Sequence, residues 1–185
     1  MPIRLFALTL LCIAGAAAAA PAKIASPDGS LVVELSRDND GRPSYAVSRN
    51  GKALIAPSRL GFILVDVPKL ERHLVIGEPR MRSFDETWEQ PWGERRFIRN
   101  HYNEMRVTLS EEAKPFRKFD MVFRVYDDGL GFRYEFPEQD ALKQAKISEE
   151  LTEFNLANDA TAWWIPAFEW NREEYLYHRT PVQEV

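Results

Sequence analysis

The chain has 185 residues, a formal charge of −4 and 28% charged residues, which is enough for one domain with a sizeable core. Its basic residues are spread rather than clustered, so nothing points to nucleic acid or an anionic membrane as a partner. The single cysteine, Cys12, lies in the N-terminal leader, so a mature chain would have no disulfide, no thiolate nucleophile and no Cys-based zinc site.

Residues 1–20 read MPIRLFALTLLCIAGAAAAA. One Arg, an apolar run over 5–15 and an end of small residues have the layout of a secretory signal peptide. Cleavage is expected near Ala20 or Ala22. The strongly apolar part is too short to serve comfortably as a membrane anchor. The expected mature region is 21–185, with a periplasmic or secreted destination.

Beyond the leader, short strands and turns alternate. Leu31, Val33 and Leu35, then Tyr45 and Val47, are apolar at every second place, the period of half-buried strands. Asn39-Asp40-Gly41 and Asn50-Gly51 mark turns. Asn-Gly is a strong hairpin signal, because a type I′ turn needs positive φ at both central residues. LGFILVDV, from Leu60, is expected as another strand. RRFIRNHYNEMRVTLSEE, from Arg95, reads as two strands or one long bent one. Phe119, Met121, Phe123 and Val125 alternate into a turn at 127–129, and Phe132, Tyr134 and Phe136 alternate back. KISEELTEFNL reads as a strand with charged outer positions. TAWWIP reads as a last short strand, stopped by Pro166. Only 140–146 hints at a helical turn. Many antiparallel strands at roughly 8–12-residue spacing predict an all-β sandwich.

Few residues announce chemistry. His73, His101 and His178 are far apart and lack metal-ligand spacing, and a lone His is usually a surface or satisfied core residue. There is no nucleophile elbow, Walker loop or dinucleotide fingerprint. Gly129 and Gly131 are explained by a hairpin turn. The stretch SFDETWEQPWGERRFIRNHYNEM is denser. It holds Asp85, Glu86, Glu89, Glu94 and Glu104 beside Trp88, Trp92, Arg95, Arg96 and Arg99. Exposed tryptophans beside carboxylates suit sugar binding, because pyranose faces stack on aromatic rings. A loop pinned to the core by its tryptophans and decorated by Arg–Glu pairs explains the same residues, and the residue types favour it. Near the C-terminus, Glu169, Glu173, Glu174 and Glu184 are hard oxygen ligands suited to calcium. They lack the spacing of an EF-hand loop, so by themselves they read as a solvated acidic face.

Three runs carry a resemblance: FDETWEQPWGERRFIRNHYNE, FRVYDDGLGFRYEFPE and WWIPAFEWNREEYLYHRTPVQE. Together with the opening SPDGSLVVELSRDNDGRPSYAVSRNGKALIAPSRLGF, they resemble the N-terminal domain of glycoside hydrolase family 97, which holds bacterial α-glucosidases and α-galactosidases. The resemblance covers essentially all of the mature chain. It implies an antiparallel β-super-sandwich, galactose-mutarotase-like, followed by a (β/α)8 barrel with the catalytic acid and base or nucleophile. It also implies a calcium ion in the active site, to which the N-domain lends one Glu that precedes a Tyr shortly after an Ile-Pro. The match here is Glu174, in NREEYLY, with Glu173 the neighbouring alternative. The implied partners are the barrel of the same enzyme and an α-linked oligosaccharide substrate.

This chain departs from the family by ending at Val185, before any barrel. The carboxylate pair that flanks a scissile glycosidic bond is then missing. No catalytic residue is assigned, and the isolated chain is expected to bind calcium weakly and hydrolyse nothing. Two other functions stay open. One is a stand-alone carbohydrate-binding or interaction module of the periplasm. The other is a mutarotase-like epimerase, for which His101 near Glu104 is the only hint.

Overall fold

The structure is a computed structural model that describes residues 21–166 and 176–185. The expected leader, with Cys12, lies outside them. Four antiparallel strands come first and pair in chain order: β1 (Ala22–Ala25), β2 (Leu31–Arg37), β3 (Pro43–Arg49) and β4 (Lys52–Arg59). The period-two reading holds. Val33 faces Val47 and Leu35 faces Tyr45 across the β2–β3 ladder, and all four are buried. The β3–β4 turn is Asn50-Gly51, at φ 49° and 76°, the positive values that a type I′ turn requires.

The second sheet is built on one long strand. β5 (Phe62–Leu64), β6 (Leu74–Ile76) and β7 (Arg80–Glu89) precede it. β8 (Phe97–Glu111) is the long strand, and β9 (Lys118–Val125) and β10 (Leu130–Glu135) follow as the expected hairpin. The order is β10-β9-β8-β6, with β7 beside β8. β6 and β7 share one edge of β8 end to end, while β9 takes the other. Three smaller expectations need correction. LGFILVDV supplies a strand only over Phe62–Leu64, which pairs with β11 (Ile147–Glu150). Gly131 lies in β10 opposite Arg124 rather than in the turn. TAWWIP gives β12 (Thr161–Trp164), but β12 is not last, because β13 (His178–Pro181) pairs back on it. The hint of a helical turn is met by a short 3-10 turn, Asp140–Leu142.

The two larger sheets enclose one core. Val33, Leu35 and Tyr45 pack with Met105, Val107, Leu109, Phe119 and Phe123 in a single buried cluster. At one edge, Phe62 meets Phe119, Tyr134 and Phe136 in tilted or edge-on contacts 4.5–5.8 Å between ring centres, a preferred aromatic geometry. Burial among these rings pushes the Tyr134 hydroxyl up to about 12. At one end of the core, Arg117 is buried with its guanidinium on Glu111 and the Pro68 carbonyl.

Candidate functional site

The dense acidic and aromatic stretch is two strands, β7 and the start of β8, joined by a loop over 90–96 that carries Trp92, Glu94, Arg95 and Arg96. β9 covers β8 only from Asn103 onward, where Asn103 faces Val125. Before that point β8 pairs with β7 alone, from Phe84 opposite Tyr102 to Glu89 opposite Phe97. The result is a two-stranded arm reaching roughly 17 Å past the sandwich, at the usual rise per residue. Alternation failed to signal it because β7 is solvated on both faces, with only Phe84 half-buried. Gly93 closes the arm's turn at φ 119°, with the Gln90 side chain folded over it and donating to the Arg95 carbonyl.

The tryptophans on this arm do not pin it to the core. Trp88 is 46%, Trp92 82% and Phe97 59% exposed. The ion-pair half of that reading holds. Arg99 forks onto Asp85 at 2.8 and 2.7 Å, and Arg96 reaches Glu89 at 2.7 Å. The Arg99 hydrogen bond holds the Asp85 carboxyl below its ordinary range. At the arm's base, Phe84 stacks on Tyr102, whose ring also meets Tyr126 and lies under the Arg124 guanidinium.

Glu104 is clamped. It accepts from Arg82 at 2.7 and 3.0 Å and from Arg124 at 2.7 Å, and it is 5% exposed. The Arg82 hydrogen bond, with Arg124 helping against burial, lowers its carboxyl to about 2. Such a group is a poor base near neutral pH. His101 sits three places before it on β8, opposite Asp85, so it projects from the other face of the sheet. The pair that an epimerase would need does not form. His73 is exposed at a positive φ of 56°. His178 is exposed and stacks on Trp164, 4.9 Å between ring centres.

β12 and β13 form a separate two-stranded ribbon that holds the ends of residues 165–177 together. Its Trp164 indole N–H donates to the Thr180 hydroxyl at 3.2 Å, and Arg179 lies over Trp163 at 5.5 Å. Trp163 is 67%, Leu176 89% and Tyr177 70% exposed. Glu174, its alternative Glu173, and Glu169 lie outside the described residues. Glu184 is exposed in a 3-10 turn, Val182–Glu184. Among the described residues, no three His, Cys, Asp or Glu side chains gather into a group able to hold a metal ion.

Arm and ribbon leave the sandwich from the same end. The Tyr126 hydroxyl, just past β9, donates to the Asn100 side chain on the arm at 3.3 Å. Next to it, Asp127 accepts from the Asp28 backbone N–H in the β1–β2 turn and from Arg49 at the end of β3. The β3–β4 turn adjoins Arg49, and the start of β4 is tied to 157–158 by Ala157 N–H to the Leu54 carbonyl and Asn158 to the Ala53 carbonyl. Asp159 and Ala160 then carry the ribbon, and both bond back to the 182–183 segment. Sequence reasoning missed this juxtaposition, along with Phe97, Trp163 and Tyr177 as exposed aromatics. The signal present was their position beside turn residues, without buried partners at period two.

The sequence profile described as Glycosyl-hydrolase 97 N-terminal matches residues 24–185. This chain belongs to the glycosyl-hydrolase 97 N-terminal family. A glycoside hydrolase family 97 enzyme from Pseudoalteromonas sp., solved in complex with acarbose, is 38% identical and superposes with a TM-score of 0.83 over 88% of this chain and 25% of its own. A structure of a variant of that family's Pseudoalteromonas enzyme with panose gives 39% and 0.81, over 86% of this chain and 24% of its own. A retaining alpha-galactosidase of Bacteroides thetaiotaomicron is 24% identical over 84% of this chain and 22% of its own length. A probable retaining alpha-galactosidase of Streptomyces bingchenggensis is 31% identical over 66% of this chain and 18% of its own. The chain therefore spans about a quarter or less of each of these relatives. The all-β, antiparallel super-sandwich implied by the resemblance is the fold observed.

Proposed function

We propose that this chain is the N-terminal domain of a secreted, calcium-dependent α-glycosidase that hydrolyses terminal α-glucosides or α-galactosides. It packs on the catalytic (β/α)8 barrel of the same enzyme and lends Glu174 to the calcium site. The observation that carries the reading is the ribbon: β12 and β13 hold together the two ends of the segment bearing Glu174, and they expose Trp163, Leu176 and Tyr177 beside it. Family membership and relatives that bind panose or acarbose, or are named alpha-galactosidases, support the substrate class.

A carboxylate at Glu174 fits calcium by its chemistry, since calcium takes six to eight hard oxygens. No complete set exists among the described residues, so the remaining donors would come from the barrel and water. Bound there, the ion would polarise a glycosidic oxygen or leaving group. This chain's part is to fix the approach of one carboxylate through a short antiparallel ribbon, a more precise mount than a free tail.

The 185-residue chain alone is expected to turn over neither aryl α-glucosides nor aryl α-galactosides. Joined to a family catalytic portion, it is expected to give turnover that a chelator abolishes and calcium restores. In that form Glu174→Gln should weaken calcium binding by at least about tenfold by calorimetry, since even loss of a residue that only supports a ligand costs that much. Turnover by the isolated chain, lost in Glu174→Gln, would overturn the assignment. Glycan binding by the isolated chain in the micromolar range would favour the stand-alone module instead.

A further inference from the structure

We propose that the β7–β8 arm is a second docking prong for the catalytic barrel, acting with the β12–β13 ribbon as a clamp; this rests on the function proposed above. Trp88, Trp92 and Phe97 are its anchors. Three observations carry it. The arm and the ribbon leave the same end of the sandwich, through the hydrogen-bonded turns traced above. Val185 lies at that end too, because Val182 and Gln183 bond to Ala160 and Asp159 at the ribbon's base. A polypeptide continuing past Val185 would leave beside both prongs.

The second observation is extent. A large aromatic side chain buries about 150–250 Å² at most, and a stable interface needs about 800 Å² on each partner. The exposed parts of Trp88, Trp92 and Phe97 fall short of that alone. With Trp163, Leu176 and Tyr177 added, the two prongs come to roughly the required area. The third is chemistry. Both prongs expose aromatic and guanidinium groups, with Arg96 over Phe97 at 5.3 Å and Arg179 over Trp163 at 5.5 Å; the arm also exposes Asp85, Glu86, Glu89 and Glu94, of which Asp85 and Glu89 are paired with Arg99 and Arg96. Aromatics and Arg are the residues that concentrate binding energy at protein interfaces.

The occupant follows from length. The family relatives have about three-quarters of their chain outside the part matched here, so a large body accompanies this domain in them. The arm holds that body at a second point besides the ribbon. It thereby fixes the orientation of the ribbon and not merely its attachment.

Thiol accessibility tests this directly, because Cys12 is the only native cysteine and a chain expressed without its leader has none. Glu94→Cys reports on the arm's tip, Tyr177→Cys on the ribbon and Ala113→Cys on the opposite end of β8. Maleimide labelling rates are compared in the 185-residue chain and in the same chain joined at Val185 to the catalytic portion of the Pseudoalteromonas relative. The two portions are also mixed as separate polypeptides, so that a fusion that fails to fold does not end the test. We expect the first two thiols to slow at least tenfold in the presence of the catalytic portion and the third to be unchanged. Adding Trp92→Ala should restore fast labelling at Glu94→Cys.

Protection of Tyr177→Cys without Glu94→Cys would leave the proposed function standing and refute the arm as a prong. Protection of neither would remove both. Protection of the chain alone even in dilute solution, unchanged when the catalytic portion is added, would make the end a self-interface instead. Tryptophan quenching by maltotriose in the chain alone, lost in Trp92→Ala, would make the arm a sugar platform. Either of those last two results overturns the proposal.

Discussion

At the scale of single residues, Gly41 shows how far a turn signal reads and where it stops. Asn39-Asp40-Gly41 announces a turn, and the φ of 69° at Gly41 agrees. The sequence does not reveal that the β6 strand passes behind it. A Cβ at Gly41 would lie 2.7 Å from the Leu74 backbone nitrogen, a contact set by residues more than thirty places away. Gly41→Ala is therefore expected to lose roughly 2–4 kcal/mol, from left-handed strain and backbone displacement together. Gly29 has a φ of 75° with open space around it, so Gly29→Ala should cost only about 1 kcal/mol. Equal losses in urea unfolding would mean that the close approach to Leu74 does not matter. Glu104 makes a similar point with charge. Its type was legible as a candidate acid, but the Arg82 and Arg124 clamp needed three strands in register. Its carboxyl drops from 4.5 to about 2, so its stabilisation is present above pH 4.5 and is lost as pH falls toward 2. With allowance for the exposed Arg82, the wild-type chain should exceed Glu104→Gln by roughly 2 kcal/mol at pH 7. The two should converge near pH 2, and a gap that stays constant with pH would contradict the clamp.

At the scale of elements, the longer strands that pack a face on the core were legible, while of those that bury no residue β11 and β12 were read and β7 and β13 were not. β2 and β3 bury alternate residues, β9 is buried at nearly every position, and β10 packs half-buried Leu130, Phe132 and Tyr134 against the core; period two found all four. β7 and β13 have no buried residue, and only their pairing partners define them. Their absence from the sequence reading shortened the fold and left the β7 half of the arm as a loop, although its β8 half was read as strand. The same lack of a buried face makes the β12–β13 ribbon a marginal element. An isolated two-stranded hairpin is barely stable in water, and this one is held within itself by the Trp164–His178 stack and the bond from Trp164 to Thr180. Amide exchange in Thr161–Trp164 and His178–Pro181 is thus expected to be at least a hundredfold faster than in β8 and β9 of the isolated chain. It should slow when the catalytic portion is present. Exchange as slow as in β8 in the isolated chain would show that the ribbon needs no partner to order it.

At the scale of the whole molecule, the two ends of the sandwich differ in kind. The end around 112–117 closes on itself, with Arg117 buried against Glu111 and the Pro68 carbonyl. The opposite end opens into two prongs that carry Trp88, Trp92, Phe97, Trp163, Leu176 and Tyr177 in contact with solvent. Composition could not reveal this polarity, because apolar residues were counted without their positions in space; the net charge of −4 belongs to a soluble surface and masks it. Exposed aromatics gathered at one end of a domain mark an interaction surface. Without the catalytic portion, the chain should therefore self-associate through that end, reversibly and with a dissociation constant on the order of 10 μM, typical of a small contact between partners not built for each other. Sedimentation equilibrium across a concentration series reads this out. The double variant Trp92→Ser with Leu176→Ser should be monomeric throughout while keeping the wild-type melting temperature, because neither side chain belongs to the core. A monodisperse monomer at high concentration for the wild-type chain would mean that the exposed aromatics are tolerated singly, and the prongs would then lose their energetic reason for a partner.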